Sequence, residues 1–107
     1  MISSIEKCVL SEKQDCDIAK MLRKIIKNSD QLRIDDKHKE CYYYDIDNFE
    51  WKVDVNGETI FQMLCLLFYE RAGYWYCNGA IELAYEIAKI VIKFNEVSYR
   101  KKIIGMV

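Results

Sequence analysis

A small α+β domain is predicted by three features of this 107-residue chain. Residues 59–72, TIFQMLCLLFYERA, are apolar at helical spacing round most of a helix circumference, which marks a central helix. Residues 41–55, CYYYDIDNFEWKVDV, change the hydrophobic period from 3.6 to 2, which marks a hairpin. Between residues 12 and 27 a narrower apolar stripe opposes a lysine-rich side, which marks an amphipathic helix ahead of both.

Ser3 with Glu6, and Ser11 with Gln14, have the spacing of capping boxes, in which a hydroxyl and a carboxyl or amide satisfy free N–H groups of a first turn. They predict a short helix or turn over 4–10 and a fuller helix over 12–27. In the second, Ile18, Leu22, Ile25 and Ile26 form the buried stripe, with Ala19 and Met21 at its margins. Lys20, Arg23, Lys24 and Lys27 form the wet side. Asn28, Ser29 and Asp30 stop the helix, and residues 31–40, QLRIDDKHKE, read as an exposed loop.

In the hairpin, a two-residue turn at Asp47-Asn48 pairs Ile46 with Phe49, Tyr44 with Trp51 and Tyr42 with Val53. All these apolar side chains then share one face, expected to lie against the central helix. Trp51 is thereby expected in the core, where its replacement by alanine would cost about 3–5 kcal/mol. Asp45, Glu50 and Asp54 are expected on the solvent face. The central helix starts at Glu58 or Thr59 and ends near Gly73, a suitable left-handed C′ residue. Tyr74, Trp75, Tyr76 and Cys77 form a short aromatic connection, and Asn78 caps a helix over 79–95. Its stripe is Ile81, Ala84, Tyr85, Ala88, Val91 and Ile92, widened by Ile87, Ile90 and Phe94. The tail from Val97, VSYRKKIIGMV, reads either as a third strand along the hairpin or as a helical continuation, and the strand is preferred because Ser98 and the Ile103-Ile104 pair interrupt a helical stripe. The expected architecture is an N-terminal amphipathic helix, an antiparallel β-hairpin and two C-terminal apolar helices, with a third strand if the tail is extended.

Length, the absence of proline and only four glycines predict a single globular domain, 1–107, with no linker. Five cysteines, unevenly placed and odd in number, read as free thiols of a reducing interior, with Cys65 the buried one and none carrying function. The N-terminus lacks the basic and apolar regions of a secretory signal, and the longest charge-free runs, 59–69 and 72–81, are about half a bilayer span. A cytoplasmic protein without membrane contact follows by elimination, and a viral or mobile-element protein in a host cytosol would share these features. Seventeen acidic side chains against sixteen basic ones disfavour binding nucleic acid by bulk charge.

Of chemistry-bearing groups, His38 and Cys41 are spaced as two zinc ligands, but no further cysteine pair or histidine completes a site. With Asp35 or Asp36 the same pair could form a nucleophilic couple, a weak pattern in a loop of this composition. Asp45, Asp47, Glu50, Asp54 and Glu58 could hold Mg²⁺, although a hairpin ordinarily keeps such charges in water. No phosphate-binding loop, dinucleotide fingerprint or zinc-protease motif is present. Asp17 to Leu22, DIAKML, resembles the first helix of helix-turn-helix domains, which would imply nucleic-acid binding. The resemblance covers six residues, and residues 28–39 contain no tight turn followed by an amphipathic recognition helix.

Tyr43, Tyr74, Trp75 and Tyr76 are the candidate protein-binding residues, because tyrosine and tryptophan are enriched at interface cores. The sequence therefore predicts a non-catalytic protein-binding domain without metal or cofactor: an inhibitor, immunity factor, adaptor or dimerising accessory protein. A homodimer is expected, with Trp75 at its seam. The alternative is a nucleic-acid-binding regulator using Lys20, Arg23, Lys24 and Lys27. A small metal-dependent hydrolase or nuclease is third.

Overall fold

The computed structural model describes residues 3–107. Two helices open the chain, α1 (Ser4–Val9) and α2 (Gln14–Lys27). At α1 the capping box forms as predicted: Ser3 Oγ accepts from Ile5 N, and Glu6 Oε2 accepts from Ser3 N at 2.7 Å. The second box does not form. Ser11 Oγ accepts instead from Lys13 N, and α2 starts without a side-chain cap. The predicted stripe of α2 is largely the observed one, with Ile18, Ala19, Leu22 and Ile26 buried.

A three-stranded antiparallel meander follows, β1 (Leu32–Asp35), β2 (Glu40–Asp45) and β3 (Glu50–Asp54). The segment expected as a loop thus supplies the third strand. Both connections are four residues long and built alike. Each begins at an aspartate, Asp35 or Asp45, whose carboxylate accepts the N–H two residues on, Lys37 or Asp47. Each ends on a residue with positive φ, Lys39 or Phe49, both at 52°. The predicted register of β2 on β3 holds, with Tyr44 opposite Trp51 and Tyr42 opposite Val53. The turn is longer than the two residues expected, and it leaves Ile46 and Phe49 exposed.

The sheet is turned over relative to the predicted face. Cys41 and Asp54 are opposite one another and buried, at 1% and 4% exposure, with Ile34 beside Cys41. Strand alternation puts Leu32, Tyr43 and Lys52 on that same inner side. Arg33, Tyr42, Tyr44, Trp51 and Val53 consequently face outward. Trp51 packs its edge against Tyr44, and Arg33 lies over its ring at 3.9 Å from the centroid. Trp51→Ala should accordingly cost about 1 kcal/mol, the scale of a surface aromatic pair and one cation–π contact, rather than a core cavity. A urea-melt loss above about 3 kcal/mol would contradict the outward placement.

The inversion has its cause at the strand-to-helix junction, where β3 meets the next helix. Asp54 accepts from Thr59 N at 2.8 Å and from Ile60 N at 3.1 Å, so its buried carboxylate caps the first turn of α3 (Glu58–Cys77). Only an inward Asp54 can do this. Between them a 3₁₀ turn, Val55–Gly57, carries Gly57 at φ 65°, where an added Cβ would stand 2.7 Å from Ile104 Cδ1.

Helix α3 runs four residues beyond the predicted end. Gly73 is an interior helical residue, Tyr74, Trp75 and Tyr76 form the last turn, and the left-handed residue after the helix is Gly79, with φ 84°. Asn78 caps α3 rather than the next helix, its Nδ2 donating to Tyr74 O at 2.7 Å. Helix α4 (Ile81–Phe94) returns antiparallel to α3 with Ala84, Ile87, Ile90, Val91 and Phe94 inward. Half of the predicted stripe, Ile81, Tyr85 and Ile92, is exposed. The tail is a helix, α5 (Val97–Met106), not a strand. Tyr99 Oη donates to Asp15 Oδ1 at 2.8 Å and Lys102 Nζ to Asp15 Oδ2 at 2.9 Å, so two residues at i,i+3 spacing share one α2 carboxylate. Ile103 and Ile104 are then both buried, at 0% and 5% exposure. Phe61, Phe68 and Phe94 lie at the centre of the core, within one cluster that α1, α2, α5 and the inner sheet face complete.

Candidate protein-binding surface

The four aromatic residues singled out from sequence do not form one patch. Tyr43 is half-buried on the inner side of β2. Trp75 is half-buried too, and its Nε1 donates to Glu6 Oε1 at 2.7 Å. Glu6, 1% exposed, also accepts from Arg71 Nε at 2.6 Å and from the Ser3 hydroxyl. Burial by itself would raise this carboxyl; hydrogen bonds from Ser3, Trp75 and Arg71 outweigh it and hold its pKa at about 2, against an ordinary 4.5. Trp75 is therefore occupied in fastening α3 to α1. Tyr74 stacks edge-on against Trp75 and faces the Arg71 guanidinium. Only Tyr76, 65% exposed, stands clear on the outer side of the helix pair.

There it joins Ile81, Tyr85, Ala88 and Ile92, which the sequence pattern had assigned to the stripe of α4, and further exposed residues of α3. Along α3, Leu66, Tyr69, Gly73 and Tyr76 recur every three or four residues and all are exposed. On α4, Ile81, Tyr85, Ala88 and Ile92 do the same, Ala88 being half-buried. A shallow groove between the two rows is floored by Ala72, Gly73, Ala84 and Ala88, with tyrosines 69, 76 and 85 rising around it. Six of these side chains, Leu66, Tyr69, Tyr76, Ile81, Tyr85 and Ile92, are 54–71% exposed. Together they leave open a mainly apolar surface on two adjacent helices, more than scattered surface residues leave. The signal was present in the sequence: α3 and α4 are too apolar to be covered by one amphipathic helix and a small sheet. The outward sides could not be chosen from periodicity, because α3 is apolar nearly all round.

The alternative surface is also formed. Lys20, Arg23, Lys24 and Lys27 are exposed on α2, and none meets a carboxylate among the described residues. Residues 30–58, the acidic sheet segment whose β1 packs on α2, carry nine carboxylates against four cations. That field opposes a phosphate backbone close to α2.

The residues weighed for chemistry are engaged elsewhere. His38 Nδ1 and Asp35 Oδ2 share a hydrogen bond of 2.8 Å at the surface. Cys41 lies on the inner side of the sheet, its thiol pushed up to about 11 by burial and by the Asp54 charge, so it is no activated nucleophile. Asp45 is paired with Lys52 at 2.7 Å and bonded to Asn48, while Asp54 caps α3. Among the described residues, no three His, Cys, Asp or Glu side chains gather as metal ligands, and no helix is long and apolar enough to cross a membrane. Cys8 and Cys41 are the buried thiols; Cys65, expected to be the buried one, is half-exposed. No family model, curated protein or solved structure matches the chain.

Proposed function

We propose that this chain is a non-catalytic protein-binding domain that engages its partner through the outer face of α3 and α4. A homodimer is one form of that contact, and the inhibitor, immunity, adaptor and accessory roles all use such a surface. The observation that supports the reading is the aromatic-aliphatic face itself, rigid because it lies on two packed helices and shallow because its floor is glycine and alanine. Tyrosine supplies large contact area at low entropic cost, and three tyrosines ring the groove.

Tyr69→Asp with Tyr85→Asp alters exposed positions only and should leave the circular dichroism of the fold intact. Chemical cross-linking in an extract of the native host, read by mass spectrometry, should place contacts of the wild type on α3 and α4, its own copies included. The double variant should lose them. The opposite result, ultraviolet cross-links to nucleic acid concentrated on α2 and unaffected by the double variant, would favour the basic face of Lys20, Arg23, Lys24 and Lys27 instead. Salt supports the distinction: α2 binding to nucleic acid should weaken steeply between two salt concentrations, whereas an apolar contact should not.

A further inference from the structure

We infer that the occupant of this face is a second copy of the chain, joined across a two-fold axis with α4 antiparallel to α4 of its partner. The inference rests on the protein-binding reading above and names the partner of that same surface. Three observations on α4 carry it.

First, charge. Beside the exposed apolar row of α4 runs a strip holding Glu82 and Glu86 in its first half and Lys89 and Lys93 in its second. A two-fold axis perpendicular to two side-by-side antiparallel helices brings the same strip of each copy together, reversed in direction. Glutamates of one copy then meet lysines of the other, at both ends at once. A parallel two-fold pair would carry the two strips to opposite flanks of the seam and leave their charges unpaired. In the isolated chain Lys89 bonds Glu86 of its own helix at 2.9 Å, and Lys93 reaches Gln14 at 3.3 Å, so both ammonium groups lie at the surface and can be shared across a seam.

Second, shape. The register that sets Ile81 against the other copy's Ile92 also sets Tyr85 against Ala88. A large side chain thus meets a small one on each side of the axis, as interdigitating layers require. Tyr69 and Tyr76 of α3 close one flank of this seam, and the charged strip closes the other.

Third, extent. Six large side chains more than half exposed on one helix pair make a patch of the kind that marks a contact surface, and pairing through a two-fold axis is the commonest way to cover a surface with itself.

The test uses the full chain with Cys16 and Cys77 replaced by serine, since these are its exposed thiols. Light scattering at about 100 μM, well above the Kd of a standard interface, should give the mass of two chains. Ile81→Cys and Ile92→Cys should each resist disulfide cross-linking alone and cross-link when mixed. Each variant cross-linking to itself would overturn the antiparallel register. Charge gives a second reading on folded protein: Glu82→Lys with Glu86→Lys, and Lys89→Glu with Lys93→Glu, should each shift the species towards monomer, and mixing the two should restore the pair. A wild type that stays monomeric at this concentration overturns the second-copy inference. The protein-binding reading is judged separately, by whether Tyr69→Asp with Tyr85→Asp abolishes a contact with another protein.

Discussion

Phe94→Ala is expected to lower the stability of the folded chain by about 3–5 kcal/mol, the usual cost of emptying a buried phenylalanine site. Phe94 is 1% exposed and sits where three helices meet. Its ring contacts Phe68 at 4.9 Å and Phe61 at 5.5 Å on α3, and Tyr99 on α5 at 6.2 Å between centroids. Alanine would remove all three ring contacts together, two of them edge-on, and leave a cavity that rigid helices cannot close. A domain of this size has about 5–15 kcal/mol in total, so the variant should be partly unfolded near its growth temperature. Leu10→Ala, at a position 68% exposed, should cost less than about 0.5 kcal/mol. Urea melts of the two variants with midpoints close together would refute the assignment of Phe94 to the centre of the core.

The second large effect is expected at Glu6. Replacing it with alanine leaves the Nε of Arg71 and the indole N–H of Trp75 without their acceptor, and breaking a buried pair from one side commonly costs about 3–5 kcal/mol. The same carboxylate makes stability depend on acid. Its pKa is about 2 in the fold and near 4.5 when the chain is open, so the open form binds the proton more readily. Its contribution is complete above about pH 4.5 and is lost as pH falls from there towards 2, amounting to about 3 kcal/mol over the whole window. Asp15 and Asp45 are lowered as well, by bonds to Lys102 and Lys52 first, and add acid sensitivity of the same sign. Glu6→Gln should therefore begin less stable at pH 7 and lose less between pH 5 and 3 than the wild type does. Parallel losses in the two proteins over that range would remove Glu6 from the account.

What could be read from local pattern was what depends on neighbours in the chain. The Ser3–Glu6 box closes over three residues, and the stripe of α2 follows from its own period. The register of β2 on β3 came from the alternation around one turn and survives the change of turn length, because Asp45 and Glu50 remain opposite one another. One local signal went unused: Asp35 and Asp45 each precede a glutamate by five residues, and that spacing frames both four-residue connections, including the one that makes β1 a strand.

Tertiary structure decided what alternation and apolar content leave open. A strand with period two offers two faces, and which turns inward depends on what must be reached there. Here it was the N-terminus of α3, which needed the Asp54 carboxylate, so the aromatic row of Tyr42, Tyr44 and Trp51 went outward. Gly73 permits a helix to stop but does not compel it. Trp75 bonds to Glu6, 69 positions earlier, and that distant contact carries α3 through to Cys77. Likewise the tail becomes α5 because Tyr99 and Lys102 meet Asp15 at helical spacing, a partner more than eighty residues away. Composition determined that two helices would be too apolar for this chain to cover; only their packing determined that Tyr69, Tyr76, Ile81 and Tyr85 would be left on the outside, since a helix apolar on every side takes its inner face from its neighbours.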